Sequence, residues 1–191
     1  MTNSTWNWIG GTGAGDVASN WTLIAGPGNL QGFPQSGDTA IDSSGTIVLG
    51  TDPNLASNTL ELGGNAGVAA LYATGDGGTT FSAPTFDSNT VLTSAVPGNT
   101  TAETSLVALA GVSINEGTIL ANGPAGSSFT LAITGTTVNG TFEPGYAFNT
   151  GLIQADAGNT MTITVGGTSE LMNTGSVIAD GGTVRILVGN S

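Results

Sequence analysis

Two carboxylates and an amide occupy matching places in a repeated segment: Asp156, Asp180 and, in line with them, Asn122. The segments are INEGTILANG (114–123), FNTGLIQADAG (148–158) and MNTGSVIADGG (172–182). If stacked one rung apart, two carboxylates would stand roughly 5 Å from each other, the separation a retaining glycosidase uses for its acid and nucleophile. The same oxygens suit a hard cation, and calcium is the ligand such a column would hold. The column also makes sense without any ligand, because Asn and Asp favour corners where they bond to nearby backbone. A solvated turn column is the default, with calcium uptake and glycoside hydrolysis as the functional alternatives.

Other chemistry is excluded more firmly. The sequence contains no His and no Cys, which removes Ser–His–Asp and Cys–His catalysis and the usual zinc sites. A lyase would call on a basic residue, and Arg185 is the one Lys or Arg in the chain. It lies between Val184 and Ile186, so strand alternation turns it outward. The stretch GGTGAGDVA (10–18) approaches a calcium-binding nonapeptide but has Gly15 where that motif needs Asp, and it reads as a loop. We therefore expect no enzymatic activity and no cofactor other than calcium.

Trp6, Trp8 and Trp21 all fall in the first 44 residues, together with Phe33. Bulky rings there suit a cap over the open end of a stacked fold. Stacking on a sugar ring is their functional alternative.

The charge balance narrows the partners. One basic residue stands against 13 acidic ones, for a net charge of −12. A nucleic-acid ligand needs cations to replace its counterions, and an anionic membrane attracts basic segments, so neither is expected. No apolar run approaches the length of a membrane-spanning helix, and the N-terminus lacks the basic and apolar regions of a signal peptide.

The elements that would position these residues are strands. Gly, Thr, Ser and Asn weaken helix interiors, and no window carries a helical period. The ladder candidates Asn115, Asn149 and Asn173 lie 34 and 24 residues apart. Each repeated segment precedes an alternating run: FTLAIT, MTITV and VRILV. One repeat reads as a strand, a turn, a second strand and a return. Periods of this length without helices point to an all-β fold, a parallel β-helix (β-solenoid). Ile119, Ile153 and Val177 would stack inside it, as would Ala121, Ala155 and Ala179. The three asparagines would form an amide ladder. Gly117, Gly151 and Gly175 would mark a corner needing positive φ or close backbone approach. Residues 1–44 read as the N-terminal cap region and 45–191 as one continuous solenoid. Between 45 and 113 the coils are more degenerate, with Thr74–Ser82 and Pro97–Thr104 expected as loops. Further loop is expected around Gly135–Gly145.

The opening WNWIGGTGAGDVASNW, followed by GFPQSGDTAIDSSGTIVL, resembles the start of bacterial autotransporter-like and haemagglutinin-like surface proteins. The later N-x-G-x-I-x-A units resemble the repeats of their β-helical passengers. Val17 departs from that pattern, which carries an aromatic residue there. The sequence stops at VRILVGNS without a translocator barrel, which implies a passenger segment or a separately exported relative. The resemblance implies a right-handed parallel β-helix and an extracellular, bacterial location. It also implies a role in adhesion, biofilm or surface architecture. The expected partners are further copies, stacked head to tail into a fibre, or polymers of the cell surface and matrix. A carbohydrate-binding or carbohydrate-active β-helix is the alternative, and ice binding through Thr ladders a more distant one.

Overall fold

A computed structural model describes residues 3–35, 38–48, 59–63, 69–72, 77–82, 84–95 and 99–189. Among these the chain is all-β, with three parallel sheets, one two-stranded hairpin and a single 3-10 turn at Ala18–Asn20.

The strands follow one another in a fixed cycle. The first circuit holds β1 (Thr5–Trp8) and β2 (Thr12–Ala14), then β3 (Trp21–Ala25), which folds back along β1. The second holds β4 (Thr39–Asp42) and β5 (Thr46–Val48). From the third onward each circuit has three strands: β6 (Thr59–Leu62), β7 (Ala69–Tyr72) and β8 (Gly77–Ser82), then β9 (Thr85–Phe86), β10 (Thr90–Thr93) and β11 (Thr104–Ala110). The fifth contains β12 (Val112–Asn115), β13 (Thr118–Ala121) and β14 (Ser128–Thr134). A hairpin of β15 (Thr136–Val138) and β16 (Thr141–Glu143) then leaves the stack. The sixth circuit is β17 (Tyr146–Asn149), β18 (Leu152–Ala155) and β19 (Thr160–Val165). The seventh is β20 (Glu170–Asn173), β21 (Ser176–Ala179) and β22 (Thr183–Val188).

The first sheet runs β20-β17-β12-β9-β6-β4-β1-β3, the second β2-β5-β7-β10-β13-β18-β21 and the third β22-β19-β14-β11-β8. Every pairing in them is parallel except β1 with β3. The first 44 residues therefore enter the sheets directly, since β1 and β4 lie in the first sheet and β2 in the second.

Alternation fixes which side chains face inward. In the third sheet Phe129, Met161 and Val184 stand in register, as do Leu131, Ile163 and Ile186. In the second sheet Leu92, Ile119, Ile153 and Val177 form one column, and Ala121, Ala155 and Ala179 another. Phe129, Ile163 and Ala155 are wholly inaccessible. One rung alone could not cover such side chains; stacking at the strand spacing of about 4.8 Å does.

Three expectations need correction. A repeat has three strands rather than two, because the Asn–x–Gly segment itself bends: β12 ends at Asn115 and β13 begins at Thr118. Gly77–Ser82 is strand β8, where a loop was expected, and its Phe81 is fully buried, in register with Leu109. The segment around Gly135–Gly145 is not plain loop but the β15–β16 hairpin, turned by Asn139 (φ 50°) and Gly140 (φ 81°). An Asn-Gly pair with positive φ at both positions matches the twist of the flanking strands.

Candidate functional site

Each ladder asparagine ends its strand in the first sheet, and the register places Asn115, Asn149 and Asn173 side by side on successive rungs. The Nδ2 of Asn115 donates to Oδ1 of Asn149 at 2.6 Å. The Nδ2 of Asn149 donates in turn to Oδ1 of Asn173 at 2.6 Å. Asn115 and Asn149 are buried and Asn173 is exposed. All the amides point the same way, so the chain of hydrogen bonds has a donor end and an acceptor end. At the acceptor end, Oδ1 of Asn115 has no partner among the described residues, because the neighbouring rung offers Phe86 at that position.

The corner beyond each asparagine is set by backbone packing. Thr150 and Gly151 N–H groups donate to the Asn115 carbonyl, and Thr174 and Gly175 repeat this on Asn149. A Cβ on Gly151 would lie 2.1 Å from the Gly117 carbonyl oxygen, and one on Gly175 would lie 2.2 Å from that of Gly151. Close approach, not a left-handed φ, is what requires glycine here.

The acidic column lies at the next corner of the same rungs, between the second and third sheets. The N–H of Asp156 donates to the Ala121 carbonyl and that of Asp180 to the Ala155 carbonyl, so Asn122, Asp156 and Asp180 are spaced one rung apart. Their side chains have separate occupations. Oδ1 of Asn122 accepts the Thr93 hydroxyl, Oδ1 of Asp156 accepts from Gln154 Nε2 at 2.7 Å, and Asp180 faces solvent. Among the described residues no three acidic, His or Cys side chains converge as a metal site would require. In the GGTGAGDVA stretch, Thr12–Ala14 is strand β2 and Asp16 is exposed.

The aromatic cluster lies at the other end of the fold. Trp6, Trp8 and Trp21 are each 4–5% exposed, and Phe33 packs half-buried against the same core. Trp8 and Trp21 meet edge to face, with centroids 5.0 Å apart. Trp21 Nε1 donates to the Gly15 carbonyl at 2.8 Å. A sugar needs an accessible ring face, and these rings give theirs to the core.

Two acidic residues that the motif search did not single out hold this end together. Asp38 Oδ1 accepts from the Ser4 N–H, while its Oδ2 accepts from Trp6 Nε1 at 3.0 Å and the Gln35 N–H at 3.1 Å. Asp42 is fully buried, and its Oδ1 accepts from the N–H groups of Ser44 and Gly45. Burial raises the Asp42 carboxyl above its ordinary value of 3.8, against the lowering effect of those two N–H groups. Asp42 Oδ2 and the Trp8 Nε1 both lack a partner among the described residues. The signal was present in DTAID: alternation that turns Ala40 inward turns Asp38 and Asp42 inward with it.

Comparison of the chain with protein-family models, with curated proteins and with solved structures gives no match.

Proposed function

We propose that this chain is a three-sided, right-handed β-solenoid that serves as a structural or adhesive rod at the surface of a bacterium or in its matrix. The observation that carries this reading is the cyclic order of the strands. From the fourth circuit on, the chain visits the first, second and third sheets in turn, and each sheet strand pairs in parallel with its counterpart one circuit back. Such a fold spends its sequence on stacking and leaves its sides and ends as working surfaces.

The acidic, His-free and Cys-free composition favours a non-catalytic role. The buried tryptophans and the separately engaged column residues remove support from the carbohydrate alternative. The extracellular setting rests on the resemblance of the opening and of the N-x-G-x-I-x-A units to β-helical passengers. Polymers of the cell surface or matrix are the partners that fit.

Negative-stain electron microscopy with and without millimolar calcium, beside small-angle scattering, tests the reading. Seven rungs at about 4.8 Å make a stack of about 34 Å. A scattering profile that fits a seven-rung stack about 34 Å long and that calcium leaves unchanged is the expected result. A profile that such a stack cannot fit would remove the solenoid, and turnover of polysaccharide by the purified chain would remove the non-catalytic role.

A further inference from the structure

The chain contains two Asn-Gly pairs, Asn122–Gly123 and Asn139–Gly140. That dipeptide carries a chemistry of its own. The side-chain carbonyl carbon of the asparagine is an electrophile, and the next backbone nitrogen is a nucleophile within ring-closing reach. Glycine leaves that nitrogen unshielded, because it has no Cβ to block the approach. Ring closure needs the asparagine to turn its side chain and its backbone until the two atoms meet. The surroundings of each pair therefore decide whether the reaction runs.

Asn122 is held on every side. Its N–H donates to Ser94 Oγ at 3.0 Å, and the Ser94 hydroxyl donates to its carbonyl at 2.8 Å. Its Oδ1 accepts the Thr93 hydroxyl. The Gly123 carbonyl accepts from Asn159 Nδ2 at 3.2 Å, and a Cβ on Gly123 would press on Ala95 and Ser127. These bonds tie three successive circuits together, so turning Asn122 means parting the stack.

Asn139 has no such restraint. It lies at the tip of the β15–β16 hairpin, where every residue from Thr137 to Glu143 is exposed. The hairpin forms a sheet by itself, apart from the three stacked ones. Among the described residues the Gly140 N–H makes no backbone hydrogen bond, and the space around the Gly140 Cα is open. Strands β15 and β16 have three residues each, and a lone two-stranded ribbon is marginally stable at best. The Phe142 ring, laid over Gly135, steadies the base of the hairpin and leaves the tip free. Opening the tip costs little and disturbs no rung.

We propose that Asn139 is a site of spontaneous deamidation. The Gly140 nitrogen gives its proton to water or hydroxide and bonds to Cγ of Asn139. The Cγ–Nδ2 bond breaks, and Nδ2 leaves as ammonia. The succinimide so formed takes up one water: opening at Cγ gives aspartate, and opening at the main-chain carbonyl gives isoaspartate. Either product adds one negative charge to the −12 of the chain. The isoaspartyl form also routes the backbone through Cβ, which lengthens the turn and breaks the Val138–Thr141 register. The flank of the molecule thus ages chemically while the stack keeps its alignment.

The test incubates the whole chain at mildly alkaline pH for several weeks, beside a free peptide of residues 134–145 that sets the unrestrained rate. Cleavage after Glu116 and Glu143 places both pairs on one fragment. Electron-transfer fragmentation then assigns the mass gain and separates aspartate from isoaspartate. Asn139 should convert within about tenfold of the peptide rate and at least about tenfold faster than Asn122. Isoelectric focusing should show an acidic species that Asn139→Gln abolishes, and aged and fresh chain should share one urea midpoint. Slower conversion of Asn139 than this would overturn the proposal, as would Asn122 reacting at a comparable rate. An acidic species that survives in Asn139→Gln would overturn it too, because the reactive amide would then lie elsewhere. A shifted midpoint would show that the modification reaches the rungs and would overturn the separation of tip from stack.

Discussion

Asn149 receives the Asn115 amide proton on its Oδ1 at 2.6 Å, and both residues are buried. Its own Nδ2 continues the line to Asn173, so Asn149 is the one ladder member satisfied on both sides. Replacing it with Leu leaves the Asn115 Nδ2 buried without an acceptor and should cost about 2 kcal/mol. Asn173→Leu takes the acceptor from the Asn149 Nδ2 at the exposed end of the ladder, where water can replace it, and should cost about 1 kcal/mol. Urea midpoints of the two variants give the comparison, and equal midpoints would mean that the ladder does not stabilise the stack.

The corner glycines make a sharper prediction. Gly151→Ala drives a methyl group into the Gly117 backbone, which cannot swing aside as a side chain would. The expected loss is about 3 kcal/mol, the upper part of the range for overpacking. Gly11 has open space around its Cα and no left-handed φ, so Gly11→Ala should stay within about 0.5 kcal/mol. Thermal unfolding of the pair separates close approach from a general intolerance of alanine.

Asp42 links stability to pH. Its folded carboxyl binds a proton more tightly than the unfolded one does, because burial raises it above 3.8. The stabilisation from that protonated group is complete below pH 3.8 and fades as pH rises through the elevated folded value. Asp42→Asn keeps an oxygen for the Ser44 and Gly45 N–H groups and removes the titration. Above that window the variant should be more stable than the parent, and the gap should close toward acid pH. Calorimetry across pH 3–8 showing parallel curves would refute this.

Asp38→Ala should loosen one end and spare the other. The substitution strands the Ser4 N–H, the Trp6 indole and the Gln35 N–H together, at a cost of about 3 kcal/mol. Tryptophan emission should shift to the red, since all three tryptophans lie at that end. Amide protection in β17 to β22 should persist, because stacked repeats unfold by neighbourhood. Loss of protection along the whole chain would show instead that the stack melts as one unit.

Calcium should leave the corner column unaffected. Titration calorimetry is expected to show no saturable uptake, and Asp156→Asn and Asp180→Asn should unfold at the same temperature with and without millimolar calcium. A saturable heat lost in Asp156→Asn would establish the column as a cation site.

Much of the fold was legible because the repeat writes the same chemistry at the same place. Asn115, Asn149 and Asn173 gave the register directly, and the columns through Ile119 and Ala121 followed from period-2 alternation. Gly117, Gly151 and Gly175 marked the corner between β12 and β13, but alternation runs through Asn–x–Gly without a break, so its two arms did not read as separate strands. Strand β8 was hidden for a related reason. Gly77–Gly78–Thr79–Thr80 has the composition of a loop, and only the pairing with β11 makes it a strand. At the candidate site the column positions could be read from sequence, but their hydrogen-bond partners could not. Gln154 and Thr93 reach Asp156 and Asn122 through side-chain geometry that no spacing encodes.

The β15–β16 hairpin separates length from register. Asn149 follows Asn115 by 34 residues and Asn173 follows Asn149 by 24, yet both pairs stand in the same alignment on their neighbours. The extra residues leave as a side branch whose tip, Asn139–Gly140, is fully exposed. That branch is a natural splice point: cargo such as an epitope or an affinity tag inserted there would ride on the flank of the rod, with the rungs above and below still touching.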